Sequence, residues 1–398
     1  MHVCADSPIN TPGARAPATT QARSIAPSAA AAPASRQPFP IWCGLTLRNW
    51  LRLLSLGPER RWSRAGRISL VTMTSAVNSV LAAIEKVALS RRVAATPISR
   101  PPLFILGHWR SGTTLLQTWL AEDPQFTAPT VYQTWFPDHF LISQQWLPRL
   151  TRGLLPSSRP MDNMPFRWDT PGEEEIALLL MTLWSPYLVA AFPDAPEKVR
   201  RFDNLQRGLS EQELERWEHC FLTFARKLLL QHPDTRLLLK SPTHTARIPL
   251  LLKLFPEAQF VYLVRNPYDV YSSTMHLHEV LCRENSFGTA SPAGLEERIL
   301  TSYFELYQAY HLQRVAIPPD RRFELRYEDL VAEPVGTMTR MYEHLDLPGA
   351  DQWAVRLKPH LSAHRDYRRN SYSLDDDVRQ RIAERWGPVF RRYGYSTD

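Results

Sequence analysis

The stretch Pro102-Leu103-Phe104-Ile105-Leu106-Gly107-His108-Trp109-Arg110-Ser111-Gly112-Thr113-Thr114 sets a short unbroken apolar run against a glycine-bounded loop. A run that is apolar at successive positions suits a strand buried on both faces, as in a parallel sheet. The loop then opens a helix expected over 113–121. Gly107 and Gly112 have the spacing of the nucleotide phosphate loop G-x-x-x-x-G-K-[ST], with Thr113 where the lysine belongs. Such a loop keeps backbone N–H groups and a helix N-terminus for cradling one phosphate. Thr113 and Thr114 add hydroxyls, and Arg110 adds a cation suited to a terminal phosphate or a bridging oxygen. A triphosphate–magnesium substrate would need the missing lysine and an aspartate on a partner strand. The candidate partner, Gln259–Val264, runs into Arg265 instead.

Outward from the loop, apolar strands alternate with helices. Leu237–Leu239 reads as a buried strand, 246–255 as a helix, Pro256-Glu257-Ala258 as a turn and Gln259–Val264 as the next strand, a compact βαβ unit. A further strand over 322–327 precedes a helix near 335–345. The pattern predicts an α/β fold: a P-loop-like parallel sheet flanked by helices on both faces. Residues 170–232 read as mostly helical and are expected to cap the carboxyl edge of the sheet, where ligands bind in such folds. Residues 99–398 thus form the main domain.

A second anion-binding pattern lies in Arg265-Asn266-Pro267-Tyr268-Asp269-Val270-Tyr271-Ser272-Ser273. An arginine at a strand's carboxyl end and a serine on the following helix can converge on one phosphate, with Pro267 in the first turn, where its missing N–H costs nothing. An ordinary strand-to-helix turn would carry the same residues. Together the two patterns imply a ligand with two separated anionic ends.

The bulk composition agrees. The chain has 398 residues with 47 Lys+Arg against 40 Asp+Glu, a formal charge of +7 that favours anionic ligands or an acidic membrane surface. No basic low-complexity arm, helix-turn-helix or zinc-finger spacing points to nucleic acid. Cys4, Cys43, Cys220 and Cys282 show no metal or redox spacing, and His276, His278 and Cys282 lack a fourth ligand, so neither a disulfide scaffold nor a metal is expected. The default compartment is a reducing cytoplasm.

Ahead of the main domain the composition changes twice. Residues 1–37, rich in Ala, Pro, Ser and Thr, are too poor in bulky apolar groups to offset their ordering entropy and are expected to form a disordered tail, though their arginines and scarce acids also resemble a transit peptide. Residues 38–98 are expected to form a helical extension. In 38–67, Trp42, Trp50 and Trp62 alternate with leucines and with Arg48, Arg52, Arg60, Arg61, Arg64 and Arg67. That mixture suits either a membrane-surface helix or aromatics packed on the main domain. Residues 68–90 read as an amphipathic helix rather than a transmembrane span.

The two anion patterns resemble the 5′-phosphosulfate and 3′-phosphate signatures of sulfotransferases that use 3′-phosphoadenylyl sulfate (PAPS). The first is similar to the R-S-G-T-T-L-L form of tyrosylprotein sulfotransferases and many bacterial members, and the second to R-[DN]-P-x-D-V-x-x-S. Leu239-Lys240-Ser241-Pro242-Thr243-His244, Pro171-Gly172-Glu173-Glu174-Glu175, Pro256-Glu257-Ala258, Arg326-Tyr327-Glu328-Asp329-Leu330, Tyr367-Arg368-Arg369-Asn370 and Trp386…Tyr393-Gly394-Tyr395 extend the likeness over roughly 100–395.

The resemblance implies PAPS as donor, no metal, and sulfuryl transfer to a hydroxyl or amine on an acceptor the sequence does not identify. It puts Arg110, Ser111, Gly112, Thr113 and Thr114 on the 5′-phosphosulfate, Arg265 and Ser273 on the 3′-phosphate, Tyr327 at the adenine, and Arg368 or Arg369 closing over the 3′-phosphate. Asn266 departs from the commoner aspartate and leaves Arg265 one carboxylate fewer. Charge developing on the bridging and sulfonate oxygens calls for fixed cations, Arg110 and Lys240. A base must reach the acceptor hydroxyl. Glu173, Glu174, Glu175, His244 and His108 are candidates; the resemblance favours Glu174, then Glu173, with His244 as the alternative. The acidic run could equally complement a helix N-terminus. A P-loop kinase and a noncatalytic anion-binding membrane module are the rival readings. The first lacks its lysine and aspartate, and the second leaves Lys240 and the acidic motif unexplained.

Overall fold

The computed structural model describes residues 39–57, 62–156, 158–159, 164–288, 294–365 and 373–397. Five strands form one all-parallel sheet in the order β2-β3-β1-β4-β5. They are β1 (Leu103–Gly107), β2 (Phe126–Thr127), β3 (Arg236–Lys240), β4 (Gln259–Val264) and β5 (Arg322–Arg326). Strand β1 is buried at every position, and its side chains alternate between two cores. Phe104 and Leu106 join Leu237, Leu239, Phe260 and Tyr262 on one face; Leu103 and Ile105 join Leu238, Val261 and Leu263 on the other. Burial on both faces is why the sequence shows unbroken apolar runs here rather than alternation.

Both faces are covered by helices, as the sequence predicts. Helix α3 (Thr113–Leu120) contributes Leu115, Leu116, Trp119 and Leu120 to the second core, together with Met338, Met341, Tyr342 and Trp353 from the C-terminal helices. The opposite core takes Trp217 and Phe221 from the helix Glu211–Gln231, Phe255, and Trp386 from the helix Asp376–Tyr393. A capping box starts the helix Glu211–Gln231: Ser210 accepts from Glu213 N–H while Glu213 reaches back to Ser210 N–H. This helix lies along a face of the sheet, where Phe221 meets Phe255 edge-on, rather than over the carboxyl edge. From the segment 170–232, Gly172 and Glu173, at the entry to the helix Glu174–Thr182, and Tyr187 and Ala190 border the pocket at that edge.

The connections leaving β1 and β4 run in opposite directions along the sheet, and the crevice of an open α/β fold lies at such a reversal. Strand β5 ends at Arg326, one residue short of the expected span, because Tyr327 already begins the helix Tyr327–Ala332. Strand β2, only two residues long, has no counterpart in the sequence reading.

In the extension, Ile41–Gly44 forms one short turn, followed by helices α1 (Leu47–Ser55) and α2 (Ala65–Ala95). Trp42 and Trp50 are fully buried; Trp42 Nε1–H donates to Asn285 O, and Trp50 packs on Phe287. Of the two readings of 38–67, core packing therefore describes Trp42 and Trp50. Trp62 is 96% exposed. The expected tail 1–37 lies outside the described residues.

Candidate active site

The loop between β1 and α3 takes a path only its own residues allow. Gly107 has φ +145°, and a Cβ there would come within 2.5 Å of Leu263 O on the neighbouring strand. Gly112 has φ +99°, and a Cβ would fall 2.3 Å from Tyr327 Cδ2. Arg110 adopts φ 68° without being glycine, a costly conformation that such loops tolerate at functional sites. Ser111 Oγ donates to His108 O at 2.8 Å, and Gly107 N–H donates to Thr245 Oγ1 at 2.9 Å, so the turn is tied internally and to the neighbouring loop.

The two anion motifs meet. Arg110 Nε donates to Ser273 Oγ at 2.7 Å, and an Arg265 Nη donates to Arg110 O at 3.4 Å. The Arg265 guanidinium stands 4.6 Å from the centre of the Tyr327 ring, which itself lies against Gly112. The carboxylate that Asn266 does not provide comes from Asp269, 3.0 Å from Arg265. Asn266 instead caps its helix, accepting from Tyr268 N–H at 3.0 Å. Arg110, Ser111, Gly112, Thr113, Thr114, Arg265, Ser273 and Tyr327 are thus one cluster. Arg368 and Arg369 lie outside the described residues.

Lys240, at the carboxyl end of β3, sends its ammonium to Thr114 Oγ1 at 3.3 Å and to Glu173 Oε1. Burial pulls the Lys240 pKa down, and the Glu173 carboxylate opposes that shift. The second Glu173 oxygen accepts from the Tyr187 hydroxyl at 2.5 Å, and Tyr187 in turn accepts from Trp109 Nε1–H at 2.9 Å. Burial, then the adjacent Glu173 charge, pushes the Tyr187 phenol well above its ordinary value, so it remains a donor. A pocket of about 150 Å³ opens on this group. Arg110, Thr113, Thr114, Glu173 and Lys240 line it, with Thr134, Arg159 and Asn285, and Ile41, Trp135, Phe166, Ile176, Leu277 and Leu281 supply much of its apolar surface.

The expected base, Glu174, is not there. Both its carboxylate and the His244 ring are fully buried, and neither borders the pocket. One Glu174 oxygen accepts from Lys240 N–H at 3.0 Å and the other lies 2.9 Å from His244 Nε2. His244 is packed between Phe104 and Phe221. Glu175 faces the interior too, where Arg247 grips it with two nitrogens at 2.6 and 3.1 Å. Burial would raise the Glu175 pKa, but the guanidinium outweighs it and holds the carboxyl below its usual range. Glu174 and Glu175 complement the start of the helix Glu174–Thr182 and brace the interior; of the three acids only Glu173 reaches the cavity. Trp109 and Tyr187 were missed, because no spacing in the sequence joins them to Glu173.

His108, the remaining base candidate, is buried against Tyr303, and burial lowers its pKa to about 4. His139 is lowered to about 4 and His278 to about 3, in both cases chiefly by burial. In the unfolded chain these rings take up protons below about pH 6.5, while in the folded protein they stay neutral until about pH 4, so stability falls as pH drops through that window. Each ring is expected to contribute about 2 kcal/mol of that loss by pH 5. Asp203, raised by burial to about 6, and Glu85, Asp138 and Glu279, also raised by burial, act in the opposite sense and offset part of it. Urea-unfolding midpoints measured between pH 7 and pH 5 should therefore decline; a flat profile would contradict the burial of these imidazoles. Among the described residues, no three His, Cys, Asp or Glu side chains are grouped to hold a metal ion.

The profile of the sulfotransferase family matches residues 101–352, the sheet and both anion loops. The chain belongs to this family. Omega-hydroxy-beta-dihydromenaquinone-9 sulfotransferase Stf3 of Mycobacterium tuberculosis is 39% identical over 360 residues, covering 89% of this chain and 91% of that protein; the Mycobacterium bovis protein of the same name matches equally. Among solved structures, sulfotransferase STF9 from Mycobacterium avium superposes with a TM-score of 0.65 at 18% identity over 87% of this chain and 91% of that one. Sulfotransferase STF1 from Mycobacterium tuberculosis gives 0.59 at 17% identity, covering 86% and 94%. These two likenesses concern the fold. This sulfotransferase thus combines the family's sheet with an acidic group, Glu173, facing a mostly apolar cavity.

Proposed function

We propose that this sulfotransferase moves the sulfuryl group of PAPS onto the hydroxyl of a long apolar lipid, with Glu173 as the base. The observation that carries the proposal is the Glu173–Lys240–Thr114 cluster, set where the phosphate loop meets the apolar pocket. The activity named for the 39% identical relative, on an omega-hydroxylated menaquinone, supports a hydroxyl at the end of an apolar chain.

In this reading the Gly107–Thr114 loop and the N-terminus of α3 hold the 5′-phosphosulfate, Arg265 and Ser273 the 3′-phosphate, and the Tyr327 ring the adenine. The acceptor lies in the apolar pocket with its hydroxyl at Glu173. Its oxygen attacks sulfur, the O–S bond to the acceptor forms as the bond to the bridging oxygen breaks, and Glu173 takes the proton. Lys240 and Arg110 stabilise the negative charge that builds on the bridging oxygen as adenosine 3′,5′-bisphosphate leaves. Tyr187 and Trp109 hold Glu173 in place.

Calorimetry with EDTA present should show adenosine 3′,5′-bisphosphate binding more tightly than AMP or ATP. Equal affinity for AMP would remove the 3′-phosphate site. Labelled sulfate from PAPS should then appear on an omega-hydroxylated isoprenoid quinone and not on its unhydroxylated counterpart. Transfer to neither would overturn the acceptor assignment.

A further inference from the structure

Helix α2 carries apolar residues on both of its faces. The face it turns to the protein mixes apolar Val71 and Val93 with polar Ser75, Asn78 and Glu85, all buried. Asn78 Nδ2 donates to Cys43 O and Leu45 O, and Glu85 pairs with Lys227 on the helix Glu211–Gln231. The face it turns outward carries Met73, Val77, Val80, Ile84 and Val87, each between 52% and 87% exposed. Their spacing, alternately four and three residues, draws a continuous apolar stripe along one side of a helix. Trp62, just before α2, and Leu51 and Leu56 on and after α1 are exposed as well. An ordinary surface helix of a soluble domain turns polar residues to that outer side.

By length and composition α2 could cross a bilayer, but only 22% of its most apolar stretch is buried in the protein. Two polar side chains on its inner face oppose spanning. Asn78 and Glu85 are committed to partners on the protein, so the helix cannot leave the domain without exposing a buried ion pair. It can lie flat. From Met73 to Val87 the stripe would be roughly 21 Å long.

The charge around the stripe selects the occupant. Arg64 stands at one end and Lys86, Arg91 and Arg92 toward the other; Arg67 is half-buried and donates to Ser286 O, and the one acid in α2, Glu85, is internal. A second copy of the helix packed along the stripe would set arginine and lysine near more of the same with no acidic partner. Anionic lipid headgroups would match that charge and let the apolar side chains enter the acyl boundary. The site is also close by. The turn Ile41–Gly44 packs against α2, and Ile41 lines the acceptor pocket together with Asn285, whose Oδ1 accepts from Ile41 N–H at 3.0 Å.

We infer that the outward face of α2 is a docking surface for an anionic lipid bilayer, on which the enzyme lies with α2 in the plane of the headgroups. This gives a lipid acceptor a short path to the pocket, but the surface itself does not depend on the acceptor assignment.

The full-length protein should co-sediment with phosphatidylcholine vesicles containing phosphatidylglycerol, and less with phosphatidylcholine alone or at high salt. Val77→Glu/Ile84→Glu should reduce that binding by at least about tenfold, since a charge on the inserted face opposes burial. Arg91→Glu/Arg92→Glu should lower the preference for anionic vesicles while keeping the stripe. Both sets are exposed and outside the pocket, so binding of adenosine 3′,5′-bisphosphate should be unchanged and serves as the check on folding. Vesicle binding unaffected by Val77→Glu/Ile84→Glu would overturn the inference. So would a wild-type dimer in analytical ultracentrifugation that this variant converts to monomer without loss of vesicle binding; that outcome would assign the stripe to self-association. Neither result depends on whether a lipid is sulfated.

Discussion

Glu173→Gln should lower turnover by about two to four orders of magnitude at saturating donor, the usual contribution of a general base. Glutamine preserves the shape of the side chain, and its one carbonyl oxygen can still accept from Lys240 while its amide N–H donates to the Tyr187 oxygen, but it cannot take the acceptor's proton. Binding of adenosine 3′,5′-bisphosphate should survive, because Arg265, Ser273 and Tyr327 form a cluster on the other side of Arg110. Glu174→Gln is the informative companion. Its amide oxygen can keep the bond from Lys240 N–H, and the carboxylate it replaces has no access to the pocket. Its effect should fall on stability, through the lost contact with the buried His244, and turnover should stay within about tenfold of the parent. Single-turnover assays on variants with normal nucleotide binding decide the matter. A large loss in Glu174→Gln with Glu173→Gln near normal would reverse the assignment.

That a single position separates the catalytic candidate from a structural acid explains much of what the sequence could and could not convey. Glycine spacing and an apolar run fix the first strand, its loop and α3, since few backbones need φ above zero twice within so short a span. That each anion motif sits at the end of a strand-to-helix unit was likewise legible, but the sequence placed Arg110 and Ser273 at separate ends of the ligand, and their direct hydrogen bond was not. The three consecutive glutamates were not. Around the first turn of a helix, neighbouring side chains point about 100° apart, so which one faces the cleft depends on where the helix starts to within one residue. Helix boundaries read from sequence are looser than that. Glu173 holds the N-cap position of this helix and still has extended backbone, which sends it toward Lys240 while Glu174 and Glu175 turn inward. The extension stayed open between two readings for a different reason. Tryptophan, leucine and arginine in alternation describe a core-packed segment and a membrane face equally well, and only the burial of Trp42 and Trp50 against the exposure of Trp62 separates them. In α2 the amphipathic pattern was clear, but the buried side mixes Val71 and Val93 with Ser75, Asn78 and Glu85, and the outer side keeps an apolar stripe.

Lys240→Met should depress turnover by about two to three orders of magnitude, comparable to removing one fixed donor from a site where negative charge develops. Methionine keeps most of the stem's volume in a position that is 1% exposed, so the change chiefly removes the ammonium. Two effects could contribute, and they can be separated. The ammonium touches Thr114 on the phosphate loop, where it is placed to meet charge on the bridging oxygen, and it also pairs with Glu173. If its main role were to hold Glu173 in place, Glu173→Gln would already have removed what Lys240 supports, and adding Lys240→Met would cost nothing further. If Lys240 stabilises the leaving oxygen, its contribution acts on a different atom from the one Glu173 deprotonates, and the double variant should fall well below either single variant. We expect the second pattern, moderated because both act in one transition state and such effects are not fully additive. Donor affinity offers an independent reading. A cation whose partner gains charge only during transfer should change kcat much more than nucleotide binding. A Lys240→Met protein that loses nucleotide binding in proportion to its loss of turnover would place the lysine on the ground-state phosphate instead.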